Sequence, residues 1–409
     1  MIAELFDVFF LDLDGVVYIS REPTYGAIEA LDRLRKIGKS VRFLTNNPTG
    51  RNFIAQRLNR MGIEADEREI VTSGWATARF LAKKGVSKVW VLGDEPLKKE
   101  IEQAGISIVD QLPCDAVVTG WGDAITLREL RRAALAIRNG ALFVATNVDK
   151  TFPSAYGPLA AVGAVVEALR VACGQNPVVI GKPYPPMFYE AMQTVSSDRV
   201  VMIGDSPEVD ILGAHQAGIS AILMGDHMPF PFEKDFRNAD ARIHSLIDLF
   251  NPQVLIKKWS LPSFPWPEKV EPGVAGIVFD DQGRVLLMRR ADNELWGIPS
   301  GHVEPAERVD QAIVREILEE TGLRVRVKRL IGVYSDPFSQ IICYPNKCTS
   351  HFISIGFECE LIGGHIKRRG VETLDVNFFS PQELPSDLMP MHPQWLKDAL
   401  IKSRNSFIR

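Results

Sequence analysis

The chain has 409 residues, too many for one typical hydrophobic core, so two or three domains are expected. Its 46% apolar and 24% charged residues belong to a globular protein, and a net charge of −4 excludes a general polyanion binder while leaving local phosphate sites open. No apolar run approaches about 18 residues, and no basic start precedes a hydrophobic region, so neither a membrane span nor a secretory leader is expected. A cytoplasmic setting follows as the expectation, without membrane or nucleic-acid partners; a homo-oligomer is left open. Five cysteines lack zinc-site spacing, Cys343 and Cys348 being the nearest pair, and read as thiols in a reducing compartment.

Up to about residue 250, short apolar runs alternate with helical patterns, the sign of a parallel α/β sheet. Four runs end in polar residues. Val8-Phe9-Phe10-Leu11 leads to Asp12, and Val41-Arg42-Phe43-Leu44 leads to Thr45-Asn46-Asn47. Val178-Val179-Ile180-Gly181 leads to Lys182, and Val200-Val201-Met202-Ile203-Gly204 leads to Asp205. Ligands of open parallel sheets bind at the carboxyl ends of strands. The four runs therefore predict one crevice holding an acid, a hydroxyl, a cation and a second acid. The stretch from Thr45 to Lys182 is too long for a loop. Strand candidates at 88–92, 116–119 and 141–145 predict an α/β subdomain inserted over about 75–178.

Asp12-Leu13-Asp14-Gly15 puts two carboxylates two residues apart where a strand ends, and unwinding at Gly15 is needed to aim both at one substrate. Such a pair supports phosphoryl transfer in two stages. Asp12 attacks phosphorus to form an aspartyl-phosphate, while Asp14 protonates the leaving oxygen and later activates water. Thr45 and Asn46, with Asn47 beside them, suit hydrogen bonding to phosphoryl oxygens, and Lys182 suits neutralising the charge that develops. Asp205 with Asp12 and a backbone carbonyl suits Mg²⁺, Asp14 is counted with them as a metal-site residue, and Asp210 suits orienting that set.

These residues resemble the haloacid dehalogenase superfamily of phosphatases over about residues 5–250, and most of all its NagD-like, or para-nitrophenyl-phosphatase-like, branch. FLDLDGVVY, FLTNNPTGR, ATNVD, IGKPYPPMF and IGDSPEVDILGAHQAGI carry the likeness. The resemblance implies an aspartate nucleophile, Mg²⁺, and a large cap between the second and third motifs. It also implies that Asn147 and Asp149 of the cap face the substrate. Asp14 sets the chain apart from dehalogenases, which need no leaving-group acid there.

The stretch 251–270, NPQVLIKKWSLPSFPWPEKV, carries Pro252, Pro262, Pro265 and Pro267 and reads as a stiff connector whose Trp259, Phe264 and Trp266 pack on a domain. Beyond it, 273–279 and 284–288 predict a hairpin around Asp281-Gln282-Gly283, with further strands around 325–334 and 352–359. Between them lies GHVEPAERVDQAIVREILEETGL, residues 301–323. Pro305 fits the first turn of a helix and Gly322 the position past its end. Val309, Ala312, Ile313 and Ile317 recur at helical spacing as a buried side, and Glu316, Glu319 and Glu320 share an arc at its edge. Three glutamates at that spacing repel one another, and the last two face the negative end of the helix dipole. A divalent cation reverses the sign of each term.

The spacing matches the Nudix box, G-x5-E-x7-R-E-U-x-E-E-x-G-U with U apolar, so the chain resembles a Nudix hydrolase over about residues 270–400. The resemblance implies a mixed sheet between helices and cleavage of a nucleoside diphosphate linked to a group X. It implies Mg²⁺ or Mn²⁺ on Glu316, Glu319, Glu320 and the carbonyl of Gly301, with a glutamate as base. Arg315 positions a neighbouring glutamate and Glu307 supports the loop. Arg289, at a strand end, is a candidate phosphate ligand, as is Arg290. Glu372 and Asp375 form a late acidic segment.

The fold expected is α/β throughout: a Rossmann-like parallel core with an inserted α/β cap over 1–250, the connector at 251–270, and an α/β/α sandwich with a mixed sheet over 271–409. The function expected is a bifunctional hydrolase with Mg²⁺, Mn²⁺ being an alternative, at both sites. The Nudix site splits an ADP-ribose-like or other sugar nucleotide, and the phosphatase site then hydrolyses a phosphomonoester product. Two alternatives stay open: housecleaning of nucleoside triphosphates beside an independent phosphatase, and one domain acting only as a nucleotide sensor.

Overall fold

Alternation along the first strand sets the architecture of the amino-terminal half. In Val8–Asp12, Phe9 and Leu11 face one side and Val8 and Phe10 the other, all fully or almost fully buried. A strand apolar on both faces needs cover on both. The computed structural model describes residues 1–152, 156–343, 349–367, 369–370 and 372–409, and Cys348, named above, lies outside these. Val8–Asp12 is central in a parallel sheet of order Ala241–Ile243, Ser220–Met224, Val200–Gly204, Val8–Asp12, Ser40–Thr45, Ile70–Thr72. Helices Ala27–Lys36 and Arg51–Arg60 supply the apolar cover for Phe9 and Leu11.

A second parallel sheet is built from the chain between Ile70–Thr72 and Val200–Gly204. Its order is Val178–Val179, Leu142–Ala145, Ala116–Thr119, Lys88–Leu92, Ser107–Ile108. One apolar core joins it to the first sheet: Phe10 and Leu44 belong to the same cluster as Val89, Val118 and Val144. Trp90, Val117 and Phe143, on the opposite face, are buried with residues of Leu127–Arg138 and Val162–Cys173.

The run at 178 departs from its expected place. It is extended for two residues only and pairs with Val144 and Ala145 in the second sheet, not with the core strands. The ladder then continues as hydrogen bonds from Ile180 N–H to Ala145 O (3.0 Å) and Gly181 N–H to Thr146 O (2.8 Å). The core crevice is thus lined by three strand ends, and Lys182 enters it from the edge of the inserted sheet. Apolar content alone does not tell a strand which sheet it joins.

The chain divides into two compact units, Met1–Leu261 and Pro262–Arg409, inside the proline-rich stretch. Its aromatics fasten to separate units. Trp259 stacks on buried His215 at 3.7 Å between ring centres and donates from Nε1 to the His215 carbonyl at 3.1 Å. Phe264 packs edge-on against Phe338 at 5.2 Å.

In the second unit, Lys269–Phe279 and Val285–Arg290 form the expected antiparallel pair, with Gly283 at φ +77° in the turn. Lys269–Phe279 pairs in parallel with Thr349–Gly364, which is antiparallel to Leu323–Tyr334, so the sheet is mixed. Helix Val309–Thr321 buries Ala312, Ile313 and Ile317 and ends on Gly322 at φ +76°. Pro305 lies outside that helix. Ala306 takes φ +65°, a left-handed turn that a helix cannot contain, and the helix starts three residues later. That turn lets Glu307 face back toward Arg315. Trimming Ile317 to Ala should cost the second unit about 2–5 kcal/mol, since its side chain fills the space over Gly276. Urea unfolding of the variant is expected to show a lower midpoint for that unit.

Candidate functional site

The first site lies where Asp12 closes its strand. Lys182, 2% exposed, donates from Nζ to Asp12 Oδ1 at 2.5 Å, to Asp210 Oδ1 at 2.6 Å and to the Leu44 carbonyl at 3.3 Å. Asp210 sits in the turn Pro207–Ile211 that follows Val200–Gly204, and its Oδ2 accepts the Ser206 N–H at 3.2 Å. Asp12, Asp205 and Asp210 each bring an oxygen within 4.8 Å of the others. Ionised, this trio and Lys182 carry −3 + 1 = −2, a deficit that suits one divalent cation. Gly15, at φ +83°, makes the closeness of this set feasible: a Cβ there would lie 2.0 Å from Asp205 Oδ2.

Burial pushes the Asp12 carboxyl up, to about 8; Lys182 opposes this, and Asp210 and Asp205 add to it. A bound cation acts in the opposite sense and favours the ionised carboxylate. Asp14, offered with the others as a metal-site residue, stands outside the trio. Its Oδ2 accepts the Tyr18 hydroxyl at 3.4 Å, and its carboxylate is not among the three that cluster. Enclosure by the cleft walls raises Asp14, with Arg57 and Tyr18 pulling it back.

Thr45 and Asn46 follow the second core strand, and the structure brings them to the same cleft. Thr45 Oγ1 accepts the Asn47 N–H at 3.1 Å, leaving its own hydrogen free to donate. Asn46 differs from the expected phosphate ligand. Its Nδ2 donates to the Lys182 carbonyl (2.9 Å) and the Asp149 carboxylate (3.1 and 3.3 Å), and its Oδ1 accepts the Lys182 N–H (2.8 Å). Both amide hydrogens are therefore engaged, and Asn46 acts as a staple between the core, the Lys182 turn and the inserted subdomain. Asn147, 2% exposed, donates to the Asn46 carbonyl at 2.8 Å and accepts the Asp149 N–H at 3.1 Å. Asn47 Oδ1 accepts from Thr49 N–H (3.0 Å) and Oγ1 (2.5 Å), which shapes the turn beside the cleft.

The cleft encloses about 510 Å³. Besides the residues expected from sequence, Trp121 and Phe152 line it, edge to face at 4.6 Å. Neither carried a signal in one sequence, because a lone aromatic in an inserted subdomain looks like core. Tyr18 was also missed, although it closes the FLDLDGVVY block.

The second site is organised by Arg315. It donates to both oxygens of Glu307 (2.8 and 2.9 Å), to Glu316 Oε1 (2.8 Å), to Glu319 Oε2 (3.2 Å) and to the His302 carbonyl (3.0 Å). Glu316, Glu319 and Glu320 share one helix, but among the described residues they do not close into a trio as tight as the first site's. Glu319 is 60% exposed and drawn to Arg315, while Glu320 is 6% exposed and accepts the Ser300 N–H at 3.1 Å. Gly301 lies on strand Ser300–His302 directly over Glu316, where a Cβ would meet the carboxyl at 2.1 Å. Burial pushes Glu320 up to about 8; Glu316 and Glu372 add to this, and the Ser300 N–H and Arg290 oppose it.

Arg289 is occupied elsewhere, by the Glu294 carbonyl (2.8 Å) and carboxylate (3.3 Å) in its own hairpin. Strand alternation aims its neighbour instead: Arg290 pairs with Asp292 and feels the charges of Glu320 and Glu372. Trp296 packs edge-on against Phe379 at 4.9 Å. Among the described residues, no helix is long and apolar enough to cross a membrane.

Comparison with known proteins agrees with this geometry. Residues 9–107 match the haloacid dehalogenase-like hydrolase family, residues 179–248 a HAD-hydrolase-like family, and residues 269–399 the NUDIX domain. The chain is 36% identical to D-glycerol 3-phosphate phosphatase of Mycobacterium tuberculosis over 228 residues, 54% of this chain and 64%, just under two thirds, of that one. It is 34% identical to acid sugar phosphatase of Staphylococcus saprophyticus over 221 residues, 53% of this chain and 85% of that one. Among solved structures, glycerol phosphate phosphatase from M. tuberculosis in complex with magnesium aligns with a TM-score of 0.57 at 34% identity, over 61% of this chain and 77% of that one. NagD from E. coli K-12 aligns at 0.54 and 28% identity, over 59% and 97%. The chain belongs to the haloacid dehalogenase-like hydrolases through its first unit and carries a NUDIX hydrolase domain in its second.

Glu320 gives a sign-definite prediction. Its folded value lies above the ordinary 4.5, so its contribution to stability is full below about 4.5 and is lost as pH rises through about 8. In chelator, Glu320→Gln should raise the melting temperature at pH 8 and change it little near pH 4.5. Thermal scans at the two pH values check this.

Proposed function

We propose that the chain is a bifunctional, magnesium-dependent hydrolase whose second unit splits a nucleoside diphosphate linked to X and whose first unit dephosphorylates a resulting monophosphate. ADP-ribose or a related sugar nucleotide is the substrate class for the second unit. The observation that carries the reading is the arrangement around Lys182: a carboxylate trio one divalent charge short of balance, at the floor of a cleft wide enough for a small phosphate ester. Named relatives of this unit act on glycerol phosphate and sugar phosphates, and one was solved with magnesium.

In this reading an Asp12 oxygen bonds to phosphorus as the bond to the alcohol oxygen breaks, and Asp14 gives that oxygen its proton. A water then attacks the aspartyl-phosphate, losing its proton to Asp14, and phosphate leaves with Asp12 restored. Lys182 holds Asp12 at a fixed angle, and Thr45 donates to a phosphoryl oxygen. Asp12, Asp205 and the Asp14 carbonyl hold magnesium, which supplies charge neutralisation when bound. Asp210 and the Asn46 staple keep Lys182 in place. In the second unit, Glu316, Glu319, Glu320 and the Gly301 carbonyl hold the cation, and Arg315 keeps Glu316 and Glu319 aimed until it binds.

The two halves fit in sequence, because one generates phosphomonoesters and the other consumes them. With ADP-ribose and magnesium, AMP and ribose phosphate should appear, and one of them should then decline as phosphate is released. Asp12→Asn should leave both products to accumulate. Glu320→Gln should leave ADP-ribose intact while p-nitrophenyl phosphate is still hydrolysed. Chromatography and a phosphate assay follow both; products that persist with the unmodified chain would count against coupling.

A further inference from the structure

Asp14 is held by a residue that the two-carboxylate scheme does not include. Tyr18 is 3% exposed, yet its hydroxyl donates to Asp14 Oδ2 at 3.4 Å. The backbone fixes the pair. Gly15 N–H donates to the Tyr18 carbonyl (2.9 Å), Tyr18 N–H donates to the Leu13 carbonyl (3.1 Å), and Asp14 and Tyr18 form a bridge. The ring is covered by Arg57, whose guanidinium carbon lies 4.4 Å from its centre. Arg57 is itself tied to the Ser20 carbonyl through Nη2 at 2.6 Å. With Oδ2 engaged, Oδ1 is the oxygen left for the substrate.

We propose that Tyr18, steadied by Arg57, is a positioning residue that orients Asp14 and stabilises it as its proton passes to the leaving oxygen. The proposal rests on the phosphatase reading above, in which Asp14 is that acid. As the phosphorus–oxygen bond breaks, the proton moves from Asp14 to the departing oxygen and leaves a carboxylate behind. A hydrogen bond to that carboxylate strengthens as its charge develops, so the help is greatest where proton transfer is most advanced. That is the case for a basic leaving group. An acidic one departs without a proton and gains almost nothing. The first unit is thereby suited to esters of ordinary alcohols.

The test compares phenyl phosphate with p-nitrophenyl phosphate for the unmodified chain, Tyr18→Phe and Asp14→Asn, at saturating magnesium. Tyr18→Phe should lower kcat about ten-fold on phenyl phosphate and less than about two-fold on p-nitrophenyl phosphate. An equal loss on both, or no loss on either, overturns the proposal, since a merely structural role is blind to the leaving group. Asp14→Asn separates the two readings. If it shows no preference for the better leaving group, Asp14 is not the acid, and the phosphatase scheme fails together with the proposal. Should Tyr18→Phe melt early, Arg57→Lys, which keeps the charge that acts on Asp14 but removes the planar group over the ring, is expected to give the same selectivity at smaller amplitude; uniform loss there is equally fatal.

Discussion

A single buried ammonium group governs the first unit. Lys182 is almost wholly buried and bonded to Asp12, Asp210 and the Leu44 carbonyl, so its charge is balanced by those two carboxylates and not by bulk water. Removing such a charge from water is costly unless it is paired and hydrogen-bonded. The structure around it reads as a consequence. The inserted sheet delivers Lys182 to the cleft, Asn46 clamps the turn on both sides of its backbone, and the turn Pro207–Ile211 brings Asp210 underneath. With one cation for three clustered carboxylates the site remains short of positive charge, which is what a phosphoryl-transfer centre using a divalent ion requires.

The NUDIX unit meets the same difficulty differently. Its acids lie on one helix, so their spacing is local and their repulsion is built in. Arg315 relieves it by bridging Glu307, Glu316 and Glu319, a planar fork being able to serve several carboxylates at once. Glu320 lies beyond that fork, nearly buried, accepting one backbone N–H, and burial pushes it well above its ordinary range. Both units therefore hold carboxylates in a state that a cation favours, one through a buried lysine and the other through a half-exposed arginine.

Glycine marks the closest approaches in both. Gly15 leaves room for Asp205, and Gly301 leaves room for Glu316; at each position a methyl group would occupy the space of a carboxyl. The requirement at Gly15 is conformational as well as steric, whereas at Gly301, on an extended strand, it is purely one of space.

Much of this was legible in one sequence, because the signals were local. Two-residue spacing in Asp12–Asp14, polar residues closing apolar runs, and i, i+3, i+4 glutamates before a glycine each report on backbone that is contiguous. Where the reading went astray, the deciding contact was distant in sequence. Val178–Val179 joined the inserted sheet because its partners are Val144 and Ala145, and Asn46 was spent on Asp149 and Lys182, more than a hundred residues away. Pro305 lost its helical place to a left-handed turn at Ala306, and Arg289 was captured by Glu294. The sequence by itself determined which chemical groups each unit carries and their order along the chain. Only the tertiary structure decided which of them remain free to meet a substrate, since a hydrogen bond made to a distant partner is one no longer available to a ligand.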